Sequence, residues 1–157
     1  MKKVTLKLAE VLELEVELNG LVNQQTGEVL VEGLLSKDLS LTSKYWLSDL
    51  NEKVSKEKAS IGKLREELIK KHGKADDQGN VSIPMYINEK RDGEGKIVSA
   101  EVNPDFAKFQ EDYNKLVEES VEISHKEFKL SDFGDLKTKQ VPKVFFKLLE
   151  VPEEEGE

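Results

Sequence analysis

The sequence predicts an α+β protein: a long antiparallel helical hairpin, coiled-coil-like, with a small antiparallel β element. Three observations predict it. In residues 40–73, Leu47, Leu50, Val54, Ile61, Leu64 and Leu68 recur at steps of three and four, with Glu57 in the one missing place of the heptad. In residues 104–120, Phe106, Phe109, Tyr113 and Leu116 do the same. Between them, residues 81–87 and 96–102 are β-rich and flank Asp92-Gly93 and Gly95, the composition of a hairpin turn.

The N-terminal segment, 1–38, is ambiguous by pattern. Leu12 to Leu18 alternates like a strand, yet Leu8, Val11, Leu12, Glu15, Leu18 and Val22 also form a helical stripe. Leu, Ala and Glu favour helix, so a helix over 6–18 is chosen, with Thr5 as its cap and Asn19-Gly20 as its stop. Thr26-Gly27 supplies a turn and Val29-Leu30-Val31 a short strand. Ser40 or Thr42 caps the long helix, and Lys70, Lys71 and His72 before Gly73 suit its C-terminus. A helix over 40–73 is roughly 50 Å long. Leu41, Tyr45 and Trp46 at its start offer the N-terminal segment a surface to pack on.

Pro84 makes 81–87 an edge strand. Asn103 as N-cap, Pro104 at the first helical position and Asp105 in the first turn open the second helix. Folding back along the hairpin would pair Leu68 with Phe106, Leu64 with Phe109 and Ile61 with Tyr113. A fully buried Leu64 would then be worth roughly 2–5 kcal/mol against alanine. Residues 121–150 read as extended, with a turn at 131–134 and an apolar piece from Val144 to Leu149. Residues 151–157 form an acidic tail. One elongated domain over 1–150 is expected from 157 residues.

Composition narrows the function classes. Apolar residues make up 37% and charged residues 36%, so the expected core is thin. A net charge of −8 disfavours a specific nucleic-acid ligand, because affinity for phosphates comes from Lys and Arg. The lysines between 53 and 74 read as a solvated face, without interleaved aromatics for base stacking. There is no cysteine, which removes disulfides and thiolate chemistry. No apolar run suits a signal peptide or a membrane span, so a cytoplasmic protein without a membrane partner is expected.

No catalytic constellation emerges, and neither a cofactor nor a metal is expected. His72 reads as a helix-end cation and His125 as an exposed residue in an extended stretch. The stretch 76–80 lacks the ligand spacing of a calcium loop. Glu10, Glu13 and Glu17 read as a solvated acidic face. The candidate partner-binding residues are Val81, Ile83, Tyr86 and Arg91 on the hairpin and Trp46 on the long helix. Unpaired edge strands recruit other chains, and a Trp is a frequent interface anchor. A covering of that edge by 121–130 is the competing arrangement.

Three stretches together resemble a family of small uncharacterised proteins encoded by tailed bacteriophages and prophages. They are Leu39 to Leu47, with an aromatic pair and leucines; Leu64 to Gly73 followed by Asp77-Gln78-Gly79-Asn80; and Val121-Glu122-Ile123 with Phe128-Lys129-Leu130-Ser131-Asp132-Phe133. Ser40 stands where the family usually has proline, and His72 where it commonly has tyrosine. The resemblance implies a phage origin and transfers no catalytic residue. The expected function is a phage-encoded, non-catalytic accessory protein that binds a phage or host protein in the host cytoplasm. The alternative is a virion or assembly component that forms homo-oligomers.

Overall fold

A computed structural model describes residues 1–134 and 136–150, so the expected acidic tail lies outside the described residues. The fold is α+β: among the described residues, one long α-helix, two shorter ones and four two-stranded antiparallel sheets. By its internal contacts the chain divides into two compact units, Met1–Ala59 with Glu119 onward, and Ser60–Glu118.

The first unit begins with a strand that the helical expectation for the N-terminus overlooked. β1 (Lys2–Lys7) pairs with β8 (Ser120–His125), Lys2 opposite His125 and Lys7 opposite Ser120. Alternation puts Leu6 and Ile123 on the inner face, where both are buried. His125 shares that parity and is buried too, correcting its expected exposure. Its Nδ1 donates to the Lys126 carbonyl at 2.8 Å, which fixes the proton on that nitrogen, and its ring stacks on Phe128. α1 (Leu8–Asn19) is helical as chosen, but Thr5 lies in β1. The N-cap is Lys7, whose amide donates to the Glu10 carboxylate. Gly20 ends the helix at φ 81°, and a Cβ there would sit 2.6 Å from the Val31 carbonyl oxygen. β2 (Leu21–Val22) and β3 (Val29–Val31) then form a short hairpin.

The buried face of α1 is Val11, Leu14 and Leu18, and it includes Glu17. Opposite it lie Leu47, Leu50 and Val54 of α2 (Leu41–His72), the heptad positions of its first half. The C-terminal segment closes this core with Phe128, Phe133, Val144, Phe145 and Leu148. Phe145 meets Phe128 at 5.4 Å and Phe133 edge-on at 5.3 Å between ring centroids. Leu41 and Tyr45 remain exposed, and Trp46 is half-buried against the core. Of that expected packing surface only Trp46 is used.

The second unit contains the end of α2, β4 (Lys74–Ala75), β5 (Val81–Ser82), β6 (Tyr86–Arg91), β7 (Ile97–Val102) and α3 (Pro104–Val117). At the end of α2 only glycine fits at position 73: a Cβ there would approach the Ile69 and Ser82 carbonyl oxygens to 2.5 and 2.8 Å. Asn103 caps α3 as its sequence implies: its side-chain oxygen accepts from the Asp105 amide, and Nδ2 donates to the Pro84 carbonyl. Ile61 and Phe109 are buried, and the Arg65 guanidinium lies 5.8 Å over the Phe109 ring.

The leucine ladder toward α3 is met only in part: the Arg65–Phe109 contact lies beside the expected Leu64–Phe109 step, but other contacts depart from it. His72 Nε2 meets Asp112 Oδ2 at 2.8 Å, whereas pairing Leu68 with Phe106 would carry His72 past the start of α3. Leu64 is 43% exposed. Leu64→Ala is therefore expected to cost only about 0.5–1 kcal/mol, a shift readable by thermal or urea unfolding. A loss of several kcal/mol would restore the seam.

Candidate interaction surface

The sequence treats residues 81–87 as one edge strand, and the structure divides them at Pro84. Proline has no amide to donate and its ring excludes helical backbone before it. Val81-Ser82 therefore pairs backward, Val81 with Ala75 and Ser82 with Lys74. The second strand starts only at Tyr86 and continues through Arg91, so the tip is Asp92 to Lys96. Asp92 organises that tip: its carboxylate accepts from the amides of Glu94 and Lys96.

In the β6–β7 ribbon Tyr86 stands opposite Val102, Ile87 opposite Glu101 and Lys90 opposite Ser99. A bulge at Asn88, whose φ is 53°, lies between the last two pairs. Alternation along β7 places Ala100 and Val102 on one face, together with Tyr86, and Val98 lies at a second irregularity, between the Lys90–Ser99 and Arg91–Ile97 pairs. All four are exposed: Tyr86 at 49%, Val98 at 63% and Val102 at 60%, with Ala100 between them. The other face carries Ile87, half-buried, and Glu101, whose Oε2 accepts from Asn88 Nδ2 at 3.0 Å. The ribbon thus has one apolar face open to solvent. Such faces mark interaction sites when residues are contiguous rather than scattered.

The five candidate residues separate. Tyr86 and Arg91 lie on β6, both exposed. Arg91 is engaged at the tip, Nη1 donating to the Gly95 carbonyl and Nη2 to Glu89. Val81 and Ile83 are half-buried, outside β6. Trp46 belongs to the first unit, where Lys126 Nζ lies 5.6 Å over its ring and Tyr45 packs edge-on. Of the stretch 121–130, in the competing arrangement the cover of the hairpin edge, Val121–His125 lies in β8, which pairs with β1 in the first unit. Residues missed at the sequence level are Val98, Ala100 and Val102. Their alternation in Ile97 to Val102 was legible as a strand, but the free face was not.

Two other features bear on chemistry. A cleft of about 450 Å³ among the C-terminal turns is lined by Leu130, Phe146, Leu149, Lys129, Ser131, Thr138 and Glu150. Lys129 and Glu150 pair across it at 3.7 Å. The described residues contain no group of three His, Asp or Glu side chains arranged to hold a metal ion. They also contain no helix long and apolar enough to cross a membrane. The titratable groups that depart from ordinary behaviour serve the fold. Burial raises the Glu17 carboxyl, opposed by the Phe145 and Val144 amides it accepts from. The Lys147 ammonium bonded to Glu10 lowers that carboxyl, and the His72 hydrogen bond lowers Asp112.

No family model, curated protein or solved structure matches this chain.

Proposed function

We propose that the chain is a phage-encoded, non-catalytic accessory protein that works in the host cytoplasm by binding another protein. The observation that carries the reading is the set of exposed apolar side chains on the β6–β7 ribbon: Tyr86, Val98, Ala100 and Val102. Apolar area removed from water is worth about 25 cal/mol per Å², and these side chains are exposed. The ribbon also offers unpaired strand edges, which suit recognition by strand addition. The phage origin rests on the resemblance of the three sequence stretches described above. A second reading, a virion or assembly component, is favoured by the same free edges, since they can join copies into multimers.

The test is a double substitution, Val98→Lys with Val102→Lys, compared with Leu21→Lys and Leu30→Lys on the exposed β2–β3 hairpin. All four positions are exposed, so both variants should keep the helical circular dichroism of the parent. The first pair should lose proteins captured from infected-host lysate, and the second should retain them. Unchanged capture by the first pair would remove the ribbon face as the binding surface.

A further inference from the structure

We infer that α2 is one helix by geometry and two by thermodynamics: residues 55–60 open locally, and the halves on either side unfold with different cores. That opening is independent of which surface binds a partner.

The apolar seam of α2 has one gap, at Glu57, and the gap has a structural counterpart. Leu47, Leu50 and Val54 are fully buried and belong to the core of the first unit. Ile61 is buried in the second unit, as is Phe109. Between Val54 and Ile61 no side chain is buried. Ser55, Lys56, Lys58, Ala59 and Ser60 are exposed, and Glu57 is half-buried. The boundary between the units falls inside this stretch, after Ala59.

Such a stretch has little besides its own backbone bonds to keep it helical. Most helical stability in proteins comes from packing an apolar face, and about two turns of helix are marginal without it. Composition weakens the stretch further. Ser55, Ser60 and the neighbouring Gly62 are poorer helix formers than alanine, glycine most of all. A Cβ at Gly62 would meet nothing within 4 Å, so packing does not require the glycine there. Lys58 pairs with Glu15 at 3.2 Å, but the lysine side chain is 52% exposed and a pair of this kind adds little. The chain passes between the units at one other place, after Glu118, in the turn between α3 and β8. Glu118 and Glu119 are exposed, so this passage too lacks buried side chains.

Cooperative parts of a protein open with separate free energies, and their amides exchange with solvent accordingly. The two halves of α2 then report different cores. Amides 50–54 exchange when the first unit opens, and amides 65–68 when the second does. Amides 59–62 bond to the carbonyls of residues 55–58, so they exchange through the local opening.

Native-state hydrogen exchange of the full chain, read amide by amide by NMR, tests this. Amides 59–62 should exchange at least about tenfold faster than amides 50–54. Phe145→Ala, in the first core, should accelerate amides 50–54 at least about tenfold and leave amides 65–68 within about twofold of the parent. Phe109→Ala, in the second unit, should do the reverse. If Phe145→Ala keeps the first unit from folding at all, amides 65–68 should still be protected, and their loss would count against the separation. Amides 59–62 as slow as 50–54, or either substitution accelerating both halves of α2 to the same degree, would overturn the inference.

Discussion

Phe145→Ala should destabilise the first unit by about 3–5 kcal/mol, whereas Phe146→Ala, one residue away, should cost less than about 1 kcal/mol. The two side chains differ only in where the C-terminal turn points them. Phe145 is fully buried between Phe128 and Phe133, and it closes the core formed by α1 and the first half of α2. Truncation removes a large apolar side chain and leaves a cavity that Val144 and Leu148, fixed on the same turn, cannot fill. Phe146 is 40% exposed at the mouth of the C-terminal cleft. For a chain of this size, the first loss corresponds to a fall of about 6–20 °C in Tm. Thermal unfolding followed by circular dichroism checks both. Equal shifts for the two variants would contradict this account of the core.

Glu17→Ala should be nearly as damaging, by roughly 2–4 kcal/mol, although it removes a surface-type residue. The carboxylate is buried on the inner face of α1. Its Oε1 accepts from the amides of Val144 at 3.0 Å and Phe145 at 2.9 Å. Those donors stand at the N-terminus of a 3-10 turn, Val144 as its cap and Phe145 as its first residue, and have no helical partner, so an alanine leaves both buried and unsatisfied. Glu17→Gln keeps an acceptor oxygen and should cost about 1 kcal/mol.

The pH dependence separates these roles. Burial raises the Glu17 carboxyl above its ordinary 4.5, and the two amides offset that only in part. The folded chain therefore holds this proton more tightly than the unfolded chain. Its contribution is greatest below 4.5 and is lost as pH rises through the raised value. Glu10, lowered chiefly by its bond to Lys147, acts in the opposite sense: its contribution is present above 4.5 and falls away in acid. Urea unfolding of the parent and Glu17→Gln at a series of pH values isolates the first effect. The gap between them should change in the parent's disfavour as pH rises above 4.5, and a constant gap would show that Glu17 binds its proton equally in both states.

Local chemistry determined what the sequence could settle alone. Three-four spacing and Gly73 defined α2, Asn103-Pro104 defined the start of α3, and Asp92 with the two tip glycines defined the β6–β7 turn. Each depends on interactions within a few residues, so each is legible from the chain. Long-range pairing decided the rest. Thr5 reads as a helix cap until β8, more than a hundred residues later, draws Lys2–Lys7 into a strand. Glu17 reads as solvated until two amides from positions 144 and 145 bury it. His125 turns inward because β1 fixes the parity of β8. The candidate surface follows the same division. Ile97 to Val102 is a strand by composition, but that all six of its side chains are exposed is decided by the folded ribbon. Periodicity states which residues share a face, and only the tertiary pairing decides whether that face meets protein or water.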